Sequence, residues 1–195
     1  MKLKEKLFPA KNPAIIKFYG CFDYDLQDNV IEQLKEAVNQ DNEPDGLILL
    51  IDSIGGEKQV LYRFINTFLR MNLPCMGFVE DEAFSCAAEL LLSCQYRVAR
   101  PFSKILFHNG GHAVNGRALL DSEILSFIVA NQVAQESAHL ERFVKTTGQT
   151  INSARAIYRA DYPILATRAV ELGILHEVTE EIFPPPIEIL NTATK

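Results

Sequence analysis

The stretch Leu47-Ile48-Leu49-Leu50-Ile51-Asp52-Ser53-Ile54-Gly55-Gly56 decides the fold. Five apolar residues in a row, without polar alternation, read as a strand covered on both faces, the habit of parallel sheets. The glycine pair then opens a helix whose apolar face is Leu61, Phe64, Ile65, Phe68 and Leu69. Upstream lie a strand at 14–21 and an amphipathic helix at 26–39 carrying Val30, Ile31, Leu34 and Val38, then a turn at 42–46. Downstream, Pro74 stops the helix, and 75–79 is another short apolar strand. A helix at 86–93, a strand at 96–99 and a strand ending in Ile105-Leu106-Phe107-His108 follow. Strand and helix in alternation predict an α/β fold built on right-handed crossovers. With no long linker and no repeat, residues 1–195 are expected to form a single domain.

Residues 119–147 contain neither Pro nor Gly, and apolar residues recur at Leu120, Ile124, Ile128, Leu140 and Val144. A helix of that length spans roughly 40 Å, whereas the radius of gyration expected for this chain is about 16 Å. The helix is therefore expected to project, and its apolar residues to be covered by self-association. The alternative is a helix broken at Asn131-Gln132 and folded back. Gly148 caps it, Thr150 starts a helix at 151–158, and Gly173 ends another at 166–172. A last strand is expected at 174–178, then an extended tail around Pro184-Pro185-Pro186.

The formal net charge is −6, with both signs mixed along the chain. No basic face stands ready for nucleic acid, and no polybasic stripe for a membrane surface. The N-terminal residues lack the apolar core of a secretory signal, and no window is apolar enough to span a bilayer. Cys21, Cys75, Cys86 and Cys94 form no Cys-x-x-Cys pair and are read as buried free thiols of a cytoplasmic protein.

Three strands run into residues with chemical potential: Asp52 to Gly56, Glu80 to Ser85, and His108. Active sites of open α/β sheets collect at such strand ends. Ser85 precedes an apolar helical run, so it is either a simple N-cap or a nucleophile needing a base nearby. Gly55-Gly56 is either a tight turn or a place where a backbone N–H can approach a ligand. Amides of Gly56 and Cys86 together would make an oxyanion hole. His108-x3-His112 spans glycines, so the two imidazoles share no helical face, and no metal site is expected. Asp161 reads as a turn residue after a helix, and spacing alone does not pair it with His108. His139 and His176 suggest no role.

The motifs gain meaning together. Ile51-Asp52-Ser53-Ile54-Gly55-Gly56 resembles the I-N-S-P-G-G signature of the proteolytic subunit of the Clp proteases. Asp81 to Leu91 resembles that family's nucleophile segment G-Q-A-A-S-M-G-A-x-L-L, and Ser103 to His108 resembles its S-R-x-M-I-H. Thr147-Gly148-Gln149 matches T-G-Q, and Ala169 to Ile174 matches A-V-E-Y-G-L. The resemblance covers about 14–180, with Ile54 in place of Pro, Cys86 in place of Met, and Arg159-Ala160 in place of an acidic-Arg pair.

That resemblance implies a crotonase-like superfold of repeated β-β-α units with a projecting handle helix at about 119–147. It implies a serine endopeptidase with Ser85, His108 and Asp161 as triad, and Gly56 and Cys86 as oxyanion donors. Substrate polypeptide would lie as an added strand beside Gly55, Gly56, Glu57 and Asn109. It further implies a homo-oligomeric ring, with the double heptamer as one form, and delivery of unfolded chains by an ATP-driven AAA+ unfoldase. No cofactor is implied. Two other readings remain open at this point: a catalytically silent ring subunit acting as scaffold, and a crotonase-type acyl-CoA enzyme.

Overall fold

The apolar run at 47–51 lies at the heart of a mostly parallel sheet. The computed structural model describes residues 3–39, 43–109 and 121–180. A short helix α1 (Leu3–Leu7), absent from the sequence reading, precedes β1 (Pro13–Phe22) and α2 (Tyr24–Val38). Then come β2 (Gly46–Gly56), α3 (Lys58–Met71), β3 (Cys75–Phe84), α4 (Cys86–Leu92), β4 (Tyr96–Ala99) and β5 (Lys104–Leu106). The long α5 (Ser122–Thr147) follows, with α6 (Ile151–Ala160), β6 (Ile164–Leu165), α7 (Ala166–Glu171) and β7 (Glu177–Val178). Strands lie in the order β1-β2-β3-β4-β7, all parallel, while β5 pairs with β3 and, antiparallel, with β6. The expected α/β architecture is the observed one.

Alternate residues of the apolar run serve two separate cores. Leu47, Leu49 and Ile51 join the main core under α2, α3 and α4, while Ile48 and Leu50 join a smaller cluster with Phe8, Met76, Phe78, Tyr96 and Val98. Both faces of β2 are covered, as a run without alternation requires. Leu7 and Ala10 pack on the smaller cluster, so the N-terminal segment helps close that face.

Several boundaries differ from expectation. β2 and β3 run on past their apolar runs into residues 52–56 and 80–84, which begin with Asp52-Ser53 and Glu80-Asp81-Glu82, because main-chain pairing continues there. β3 forks: residues 76–79 pair with β4, and 82–84 with β5. Buried Ser103 holds the fork, its hydroxyl lying 3.1 Å from the carbonyls of both Val79 and Glu80. β5 stops at Leu106, two residues before His108. The strand expected at 174–178 shrinks to Glu177–Val178, because the amides of Ile174 and Leu175 turn back to the Ala169 carbonyl. Cys75, Cys86 and Cys94 are buried free thiols, but Cys21 is exposed, a correction that follows from its place beside the β1 irregularity.

α5 is unbroken through Asn131-Gln132, so the folded-back alternative falls. Its 26 residues span about 39 Å. Its buried side chains, Leu140 and Phe143, lie in its last third, whereas Ile124, Phe127, Val129 and Val133 are exposed. Asp121 caps its start with bonds from the Glu123 and Ile124 amides, and Gly148 ends it in the left-handed conformation. Leu119, Leu120, His112 and the proline tail lie outside the described residues. Among the described residues, no helix is long and apolar enough to cross a membrane.

Candidate active site

Ser85 occupies the corner between β3 and α4 at φ +53°, ψ −117°, a conformation unusual for any residue with a side chain. Its amide is held by the Leu106 carbonyl at 2.8 Å and its carbonyl receives the Glu89 amide at 3.1 Å. The hydroxyl makes no capping bond to the helix it precedes. The N-cap reading of Ser85 thus fails on its own terms: the position is that of a cap, but the side chain does not cap. Strained backbone of this kind costs on the order of 1–3 kcal/mol and is found at functional corners.

The end of β2 lies against this corner because it carries no side chains. A Cβ on Gly55 would sit 2.5 Å from the Phe84 carbonyl oxygen and 2.8 Å from Ser85 Cβ. Gly55 is oriented by Ser53, whose hydroxyl accepts its amide at 3.0 Å and donates to the Gly20 carbonyl. The Glu57 amide donates to Phe22 on β1 at 2.7 Å. Alternation along the strand then turns the Gly56 peptide groups away from β1. On that side the Cys86 thiol donates to the Gly56 carbonyl at 3.1 Å. Burial pushes the Cys86 thiol up, so it stays protonated at neutral pH.

His108 and Asp161 are brought together from separate segments, with Nδ1 and Oδ1 3.5 Å apart. Both owe their places to one aromatic cluster. Phe107 packs on Phe143 of α5 and Tyr158 of α6 at ring-centre distances of 5.2 and 5.4 Å. Phe143 and Tyr158 meet at 5.8 Å. Phe107 directly precedes His108, and Tyr158 stands three residues before Asp161, which ends α6 in the left-handed conformation. The Asp161 side chain is 66% exposed. At 3.5 Å the pair is looser than the 2.6–3.2 Å of a working acid–base contact, and such contacts tighten on substrate binding.

Ser85, Cys86, His108 and Asn109 line one cleft, closed on its far side by α5. Glu57, grouped with them on sequence, is exposed at the start of α3 and does not line it. Glu89 does, and spacing did not single it out. It is 5% exposed, one turn along α4 from Ser85. Its Oε1 accepts the Tyr158 hydroxyl at 2.5 Å and lies 2.9 Å from His139 Nδ1. Arg142 is 3.8 Å from Oε2, which has no hydrogen-bond partner. Burial and the Glu89 charge hold the Tyr158 phenol protonated. Glu89 was legible as the lone charge in an apolar helix, and such a residue needs a partner. His139 is that partner, on a helix whose facing side could not be read from sequence.

His176 is structural. Its Nδ1 accepts the Arg97 amide at 3.0 Å and its ring stacks on Tyr96. Among the described residues no group of acids, histidines and cysteines is arranged for a metal ion.

A family model described as Clp protease matches residues 6–182 of the chain. The chain therefore belongs to the Clp protease family, and its parallel α/β sheet with helices between strands agrees with the crotonase-like fold of that family.

Proposed function

We propose that this Clp protease family member is a serine endopeptidase that hydrolyses unfolded polypeptides within an oligomeric ring. The observation that carries the reading is the strained Ser85, its hydroxyl unspent on capping, in one cleft with the His108 that neighbours Asp161. Ser85 Oγ attacks the peptide carbonyl while His108 takes its proton, then returns that proton to the leaving amine. Asp161 holds the imidazole tautomer and stabilises the imidazolium. The Gly56 and Cys86 amides bind the oxyanion, each such donor typically worth about 2.7–4 kcal/mol in kcat. Water then repeats the sequence on the acyl-enzyme.

Ring assembly is supported by the exposed apolar residues of α5. Family membership supports a homo-oligomeric ring, a double heptamer included, and feeding by an AAA+ unfoldase. The silent-subunit reading would waste the Ser85 strain, and an acyl-CoA enzyme has no need of a serine–histidine pair here. Casein unfolded in advance, incubated with the purified assembled chain, tests the reading. Fragments should appear for wild type and vanish for Ser85→Ala. An intact substrate would favour a scaffold, and turnover of an acyl-CoA thioester the third reading.

A further inference from the structure

We infer that the pocket beside Ser85 takes a basic side chain on the acyl side of the scissile bond, with Glu136 as its specificity-determining carboxylate. This rests on the peptidase reading above and names the substrate class for the same site.

The pocket wall supplied by α5 is Gln132, Gln135, Glu136 and His139. These positions follow the i, i+3, i+4, i+7 spacing of one helical stripe, and all four are polar. The apolar residues of α5, Phe127 and Val133 among them, are exposed elsewhere on the helix. The helix therefore turns its polar stripe toward the nucleophile. Glu89 and Cys86 line the pocket from α4, and Lys58 and Leu61 from α3. Only Leu61 and Cys86 in this lining are apolar. An apolar substrate side chain entering here would strip water from amides and charges and give nothing back.

Charge decides among the polar alternatives. Of the two carboxylates in the lining, Glu136 makes no ion pair among the described residues, and the one ammonium is Lys58. Lys58 Nζ donates to the side-chain Oε1 of Gln135 at 3.3 Å. Glu89 is already engaged: its Oε1 meets the Tyr158 hydroxyl and His139, and its buried Oε2 faces the Arg142 guanidinium at 3.8 Å. An acidic substrate side chain would meet like charge. A cation would gain charge-assisted bonds, which are stronger than those a neutral amide can make.

Two peptidyl diphenyl phosphonates test this on the assembled chain. They are identical except for the terminal side chain, 4-aminobutyl as in lysine or butyl as in norleucine. Ser85 Oγ displaces one phenoxide at phosphorus, and phenol leaves with the proton His108 accepted. The ratio of the two inactivation rates, taken within each variant, cancels the amount of active protein. Wild type should favour 4-aminobutyl by about tenfold or more at pH 7, equivalent to about 1.4 kcal/mol. Glu136→Gln should cut that preference severalfold, Glu136→Asp should recover part of it, and raised salt should weaken it. A wild-type preference for butyl, or a ratio indifferent to Glu136→Gln, overturns the inference and leaves the peptidase standing. Failure of a generic fluorophosphonate to label Ser85 overturns the peptidase reading and this inference with it.

Discussion

At the scale of single residues, the decisive fact is that Ser85 holds a conformation that costs energy and gains no cap in return. Selection for stability alone would place glycine there. Ser85→Gly should therefore raise the free energy of unfolding by about 1 kcal/mol, relief of strain outweighing the added freedom of the unfolded chain. Ser85→Ala keeps its Cβ and should not. Denaturant melts of the two variants check this, and a glycine variant no more stable than the alanine one would mean the corner is relaxed. Gly55 carries the converse argument. Gly55→Ala would drive a Cβ to within 2.5 Å of a carbonyl oxygen, and the β2 end must then withdraw from Ser85.

Between elements, a cluster of three rings does what no strand pairing does. Phe107, Phe143 and Tyr158 fix the ends of β5, α5 and α6 to one another, and so place His108 and Asp161. The Tyr158 hydroxyl then ties that cluster to Glu89 on the helix that Ser85 begins. Tyr158→Phe keeps the packing but takes a partner from a buried carboxylate, and should cost about 1–3 kcal/mol. Urea unfolding reads the loss. An unchanged midpoint would show that His139 and Arg142 satisfy Glu89 alone. The sequence told much about elements and little about this junction. Apolar runs announced the strands, and Gly148 and Thr150 announced a helix boundary, because those signals are local. The extensions of β2 and β3, the two-residue β6 and the pairing of Glu89 with His139 depend on contacts between distant segments. Asp161 illustrates the limit: as a turn residue it was plain, while its nearness to His108 entered only through family resemblance.

At the scale of the whole molecule, α5 leaves large apolar residues uncovered along most of its length. Phe127 is 68% exposed on a helix whose buried anchors are confined to its end. If a second copy covers that face, Phe127→Asp with Val133→Asp should lower the particle mass measured by light scattering. An unchanged mass would place the assembly contacts elsewhere. Stability should also fall in acid for an identifiable reason. Burial and the Arg97 guanidinium lower His176 to about 4, below the ordinary histidine value of 6.5. Between those values the unfolded chain binds a proton that the folded chain refuses, so stability drops as pH falls from 6.5 toward 4. His176→Asn, whose oxygen can still accept the Arg97 amide, should flatten that part of a melting-temperature profile. An equally steep profile would assign the loss to carboxylates. The central claim is that Ser85 is activated by His108, and mass spectrometry after treatment of the assembled protein with a fluorophosphonate tests it most directly. One adduct per chain on Ser85, abolished or slowed by orders of magnitude in His108→Ala, is the predicted result. An unmodified Ser85 in folded, assembled wild type, or labelling equally fast without the imidazole, would contradict it.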